Sequence, residues 1–401
     1  MPGFSRMRSP AFSFLFHFPM ALANQESSGI RRLAPFLPLL GLLGVLFCFF
    51  VSLELMGTSM KLLGKGFATQ LIETTSNPFV ALFIGILATS LVQSSSTVTS
   101  LAVSAVAGGG LTVAGAIPIV LGANVGTSVT NTIVSLGHIG RKEEFGRAMG
   151  AATVHDFFNL LAVTIFFPLE LMFGFLSKSS AALTKGVTGV GGTELFDFVG
   201  QMTAPVVDGL VRLMQDSGIP VLILGILLLF LSLRYLVVLL RSLFLGRSER
   251  LINKYLFGPA PIALAFGTLV TIMVQSSSIT TSITVPLVGA GIVTVSQIFP
   301  FVLGANIGTT ITALLAALVL SSGGDALGIA SLQVALAHLI FNCCGVLAFL
   351  PIKRLRRVPV MMAEYLGTLT LKNRAWAAVY LACIFFVIPL MIIFLARELN
   401  L

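Results

Sequence analysis

The tetrad Gln-Ser-Ser-Ser occurs twice in this sequence, as Gln93-Ser94-Ser95-Ser96 and as Gln275-Ser276-Ser277-Ser278. Each copy interrupts an otherwise apolar stretch, about residues 78–107 and 260–290. Hydroxyl residues follow: Thr97 and Thr99 in the first stretch, Thr280, Thr281 and Ser282 in the second. Hydroxyls and amides are neutral hydrogen-bonding groups, and two such clusters facing each other would surround a compact oxyanion. No Lys or Arg lies within either stretch, so a salt-bridged anion site is not expected, and co-bound cations would supply the positive charge.

A second repeated segment fits those cations. Leu121-Gly-Ala-Asn-Val-Gly-Thr-Ser-Val-Thr130 recurs as Leu303-Gly-Ala-Asn-Ile-Gly-Thr-Thr-Ile-Thr312. Asn124, Thr127, Thr130, Asn306, Thr309, Thr310 and Thr312 offer amide, carbonyl and hydroxyl oxygens, hard ligands suited to a small alkali cation. Gly126 and Gly308 would let the backbone unwind there. A third pair, His155-Asp156-Phe157-Phe158-Asn159 and His338-Leu339-Ile340-Phe341-Asn342, puts His and Asn on one helix face in each copy. Asp156 is a carboxylate in the first turns of an apolar run, costly without a partner, and is read as a cation ligand.

Each motif also has a plainer reading. Membrane-helix Ser and Thr usually bond back to their own helix, although the duplication of the whole tetrad argues for more. Small-residue packing accounts for Gly122/Gly126 and Gly304/Gly308 without excluding a site. The histidines read as helix-packing donors. Glu54 and Glu170, near span ends, read as facing the interface.

These residues need a membrane scaffold. Of the 401 residues 56% are hydrophobic and 10% charged, against about 25% charged in a soluble domain. With a mean hydropathy of +1.01, a soluble enzyme or a disordered chain is excluded. Uninterrupted apolar runs at about 34–56, 112–137, 148–175, 219–240, 294–320, 330–351 and 375–396 predict seven full spans. The net charge of +9 reflects basic residues in short loops, which orient spans rather than bind nucleic acid. Arg141, Lys142 and Arg147, then Arg241, Arg247, Arg250 and Lys254, then Lys353, Arg354, Arg356 and Arg357 share one side if each interrupted stretch enters and returns on the same face. That pattern predicts two re-entrant hairpins. Residues 1–33, with four Arg, read as an uncleaved cytoplasmic tail. Cys48, Cys343, Cys344 and Cys383 all lie in apolar runs and form neither a disulfide framework nor a metal pattern.

The first two motif pairs are 182 positions apart and the third 183. The chain is therefore a duplication in which each half reads span, hairpin, span, span. Three full crossings separate equivalent points, so the halves are inverted, and inverted repeats share a midplane site. The predicted fold is an all-α integral membrane protein of two inverted repeats. The expected boundaries are a tail at 1–33, repeat 1 at 34–175, an extracytoplasmic loop at 176–218, repeat 2 at 219–351, and a basic loop with a last span at 352–401.

The paired Gln-Ser-Ser-Ser and Gly-Ala-Asn-x-Gly-Thr segments, with the run Ala152–Asn159 through Pro168-Leu169-Glu170, resemble type II sodium–phosphate cotransporters over about residues 34–396. The resemblance implies sodium-driven uptake of inorganic phosphate, mainly the divalent ion, and the expected mechanism is alternating access. It implies Gln93, Ser94, Ser95 and Ser96 with Gln275, Ser276, Ser277 and Ser278 at the phosphate site, and sodium at Gln275, Thr309 and Thr312. Asp156 and Asn159 match positions linked in that family to a further sodium and to electrogenic transport; Asn342 is the second-half counterpart of Asn159. Cotransported Na+ is the expected ion and no organic cofactor is expected. The expected partners are phosphate, sodium and the lipid bilayer, without nucleic acid, and a homodimer is left open. The 176–218 segment departs from the animal members in lacking both cysteine and Asn-x-Ser/Thr. The compact length implies a bacterial member in the plasma (inner) membrane. Three rivals are a sodium-coupled dicarboxylate carrier, a packing-only scaffold, which leaves the polar hairpins unexplained, and an intramembrane serine hydrolase using Ser95 or Ser277. The hydrolase would need His155 or His338 as base and two active sites, so the reading is a non-enzyme.

Overall fold

The computed structural model describes residues 37–189, 197–244, 258–322 and 324–399, and these are helices and short connections. The expected 1–33 tail and the basic residues Arg247, Arg250 and Lys254 lie outside them. Helix α1 is Leu37–Thr74, α2 Pro78–Val92, α3 Ser95–Ala107, α4 Val113–Gly126, α5 Val129–Ser135, α6 Lys142–Phe173, α7 Phe175–Gly189, α8 Asp197–Leu213 and α9 Gly218–Phe244. The second half has α10 Ala260–Val274, α11 Ser277–Ser282, α12 Thr284–Gly289, α13 Val295–Leu320, α14 Ala326–Phe349 and α15 Lys353–Lys372. Helix α16 Ala375–Ala382 passes through a π-helical turn, Cys383–Val387, into α17 Ile388–Glu398.

Among the described residues seven helical stretches are long and apolar enough to cross a bilayer: Leu40–Gly64, Val113–His138, Lys142–Phe173, Gly218–Leu236, Val295–Leu320, Ala326–Phe349 and Ala375–Glu398. They match the seven expected runs, and the protein is a multi-pass all-α membrane protein. The interrupted stretches are broken helices too short to cross on their own. Helix α2 ends at Gln93 (φ 57°, ψ 27°) and α10 at Gln275 (φ 55°, ψ 26°). Both are left-handed caps, uncommon for a residue with a Cβ. The next residue starts the return helix. Ser94 and Ser276 have extended backbones, and their hydroxyls accept from Thr97 N–H at 3.2 Å and Ile279 N–H at 3.3 Å. Tetrad chemistry thus builds the turn: a left-handed Gln stops one helix and a Ser caps the next.

The halves repeat at atomic detail. A Cβ on Gly122 would sit 2.0 Å from the Leu82 carbonyl oxygen, and one on Gly304 2.0 Å from that of Leu264. The same holds for Gly85 against Ile119 O and Gly267 against Phe301 O, at 2.1 Å each. Each hairpin's entry helix therefore touches the following span backbone to backbone, the small-residue packing expected of these glycines.

Two segments read as loops are helical. Residues 176–218 contain α7 and α8. The Glu170 carboxylate accepts from Leu176 N–H at 2.6 Å and Ser177 N–H at 3.1 Å, capping α7 rather than facing the interface. The segment after 351 forms α15, which buries Pro359, Val360, Ala363, Leu366, Gly367 and Thr370. It packs on α6, where Gly146 and Gly150 admit it closely. A search for apolar runs passes over both because their polar faces dilute the signal. Helix α1 also runs beyond the expected end of its span, through a break at Gly64 (φ 78°), and meets α2 at a 95° bend.

Candidate functional site

The two tetrads come together. Gln93, Ser94, Ser95, Ser96 and Thr97 share the wall of one cavity with Gln275, Ser276, Ser277, Ser278 and Ile279, about 340 Å³ in volume. Ser95, Ser96, Ser277 and Ser278 are buried. Ser94 and Ser276 are committed to capping. Ser278 Oγ donates to Thr127 O at 3.2 Å, whereas the Ser95, Ser96 and Ser277 hydroxyls bond to no described residue. The Gln275 amide oxygen accepts from Thr312 Oγ at 2.5 Å, and its nitrogen donates to Ile272 O at 2.6 Å.

The remaining wall is Val92, with Phe230, Leu233, Arg234 and Val238 of α9. Arg234 corrects the expectation of an anion site without a fixed cation. The hairpins themselves hold none, but a neighbouring span supplies one. Sequence inspection confined to the hairpins could not find it; the available signal was an arginine inside an apolar run.

The four asparagines form a network at the junction of the repeats. His155 Nε2 donates to Asn306 Oδ1 at 2.8 Å, and Asn306 Nδ2 donates to Asn159 Oδ1 at 2.7 Å. In the other sense, His338 Nε2 donates to Asn124 Oδ1 at 3.1 Å and Asn124 Nδ2 to Asn342 Oδ1 at 3.2 Å. Asn159 Nδ2 further donates to Asn124 O at 2.8 Å. This reciprocity is that of a two-fold-related pair. Each Asn oxygen here already accepts a hydrogen bond, so a cation would have to share or displace one. Thr127, Thr309 and Thr310 bond back to Ala123 O, Ala305 O and Ile307 O within their own helical turns.

Unpartnered oxygens gather elsewhere. Helix breaks at Thr127–Ser128 in repeat 1, while α13 runs unbroken through Thr309–Thr310. Around the break, Ser128 Oγ, Thr130 Oγ1, Asn131 Oδ1 and Thr132 Oγ1 are buried without a hydrogen bond, as is Asp156 Oδ1. The Ser128 hydroxyl faces the Asp156 carboxylate. The other carboxylate oxygen accepts from Tyr380 Oη at 2.9 Å. Buried unsatisfied oxygens are rare in proteins, and a carboxylate with neutral oxygens is a donor set that fits a hard monovalent cation. Asn131 Nδ2 donates to Thr281 Oγ1 at 2.8 Å, which ties this region to hairpin 2. Neither Ser128 nor Tyr380 was singled out in the sequence. Glu54 lines a separate cavity of about 540 Å³ with Lys61 and Asp325.

The fold and site together define a multi-pass membrane protein of two equivalent halves, with a broken-helix cavity between them. The family model described as Na+/Pi-cotransporter matches residues 48–192 and 227–392. The chain is similar to sodium-dependent phosphate transport protein 2B of Homo sapiens, 34% identical over 443 residues, covering 87% of this chain and 64% of that protein. It is similar also to sodium-dependent phosphate transport protein 2A of Rattus norvegicus, 34% identical over 423 residues, covering 87% of this chain and 66% of that protein. The chain belongs to the Na+/Pi-cotransporter family, and it spans less than two thirds of the length of these relatives. No solved structure matches it.

Proposed function

We propose that this chain is a sodium-coupled secondary transporter that imports inorganic phosphate by alternating access. The observation that carries the reading is the single cavity lined by both Gln-Ser-Ser-Ser tips. Its free hydroxyls and backbone N–H groups donate to phosphate oxygens, and burial strengthens those bonds relative to water. Sodium would take the oxygens around Ser128, Thr130 and Asp156, together with Gln275 and Thr312, which lie within 2.5 Å of each other. Filling these positions first would fix the break in repeat 1 and, through Asn131 and Thr281, the tip of hairpin 2. Asp156 carries a charge that neutral oxygens cannot, which supports electrogenic exchange. Each net charge moved across the membrane is worth about 2.3 kcal/mol per 100 mV. The domain division is the one drawn from the repeats, 34–175 and 219–351. The setting we propose is a bacterial inner membrane, on the strength of a 176–218 segment with neither cysteine nor Asn-x-Ser/Thr.

The test is sodium-dependent uptake of radiolabelled phosphate in proteoliposomes by wild type, Gln275→Ala, Ser277→Ala and Asp156→Gly. Losses in the first two variants and altered currents in the third are expected. Wild-type uptake in all three defeats the site. A sodium-coupled dicarboxylate carrier is the second reading, and Arg234 is the observation that favours it, because dicarboxylates are commonly held by arginine. Competition by phosphate and arsenate but not succinate is expected, and the reverse order selects the second reading.

A further inference from the structure

We propose that Arg234 is the fixed positive charge of the substrate cavity and the residue through which this chain would exert the preference for divalent phosphate that the family resemblance implies. The inference rests on the phosphate reading above. Arg234 lies in the candidate span Gly218–Leu236, where an arginine is expensive unless it meets water or a counter-charge. Among the described residues it makes no ion pair. The cavity wall it shares with both hairpin tips holds no carboxylate, and every other polar group there is a neutral amide or hydroxyl. One guanidinium against no acid leaves the cavity net positive.

That charge does what the serines cannot. Hydroxyls can satisfy the oxygens of either ionisation state of phosphate. A fixed cation attracts a dianion twice as strongly as a monoanion at the same distance. The planar guanidinium also presents paired N–H groups to two phosphate oxygens. The charge is one-sided: the position 182 residues earlier is Ser52, buried and donating to Phe49 O at 2.6 Å. The repeat duplicates the tips but not the cation. The competing explanation is an arginine that reaches along its helix to lipid headgroups, which would leave substrate affinity untouched.

The experiment measures phosphate KM, sodium half-saturation and pH dependence in proteoliposomes for wild type, Arg234→Leu, Arg234→Met, Arg234→Lys and Ser277→Ala. Leucine or methionine in an apolar span removes a desolvation penalty, so both variants should insert. Two apolar variants keep the test available where one accumulates poorly. In each, phosphate KM should rise about tenfold or more, the worth of a charge-assisted hydrogen bond, with sodium half-saturation close to wild type. At fixed total phosphate, wild-type uptake should climb as pH crosses the second ionisation of phosphate, and the apolar variants should flatten that climb. Arg234→Lys should keep the climb with a smaller rise in KM. Wild-type KM and pH dependence in the apolar variants overturn the proposal. If Ser277→Ala raises KM in the same vesicles, the phosphate site survives that failure; if it does not, the site reading fails first.

Discussion

Hairpin 1 and hairpin 2 turn with the same backbone, Gln93 and Gln275 differing by 2° in φ and 1° in ψ, yet they are gripped differently. Gln275 is clamped through both ends of its amide, to Thr312 and Ile272. The Gln93 side chain is exposed and bonds to no described residue, and its would-be partner Thr130 has a buried, unpartnered hydroxyl. Ser278 holds Thr127 across the repeats, and Ser96 has no matching bond. Duplication has fixed the turn in both halves, while the side-chain grip exists in one. The same contrast runs deeper in the spans. Repeat 1 carries Asp156 and a helix break, where repeat 2 has Leu339 and a continuous α13. Equivalent words in the two halves therefore need not do equivalent work.

The largest effects should fall where the halves are alike. Gly122→Ala and Gly304→Ala each drive a methyl group into a carbonyl oxygen and should destabilise by about 3 kcal/mol or more, read as loss of monodisperse protein and a lowered Tm in detergent. Damage from only one of the two would break the equivalence of the repeats. Next, His155→Ala and His338→Ala each strip a donor from a buried Asn oxygen. Each should cost about 1–3 kcal/mol, with similar melting shifts.

The comparison sharpens where the halves differ. Gln275→Ala should reduce phosphate kcat/KM about tenfold and Gln93→Ala only about twofold, in proportion to the hydrogen bonds removed. Thr312→Val should reproduce the first value, and equal losses at the two glutamines would cancel the asymmetry drawn here. Asp156→Asn should lower the charge moved per phosphate, while Leu339→Asn should not, as read from currents in vesicles of known potential. The smallest effect is Tyr380→Phe, which removes one bond to Asp156 and should weaken sodium half-saturation about two- to tenfold. A wild-type value would make Tyr380 a bystander.

Much of this was legible beforehand. Spans are apolar runs, and bilayer thickness sets their length. The helix breaks were legible because a polar tetrad in hydrocarbon has few structural solutions, and the duplication because the tetrads recur 182 positions apart. Helices α7, α8 and α15 were not legible, since amphipathic segments lack the continuous apolar signal. Arg234 and Tyr380 were missed for another reason. Tyr380 meets a carboxylate 224 positions away, and Arg234 lies 41 residues before the nearer tetrad. Hydropathy places a span in the bilayer but says nothing of its neighbours. The glutamines were chosen for their amides, and the left-handed backbone that only these two positions share at the tips left no mark in their residue type.

The glycine contacts limit how the protein can move. With carbonyls seated directly on Gly122, Gly85, Gly304 and Gly267, neither entry helix can swing away from the span behind it without opening a seam of bare peptide groups to lipid. Each hairpin and its following helix must travel as one slab. A gate narrower than that slab has no hinge to turn on.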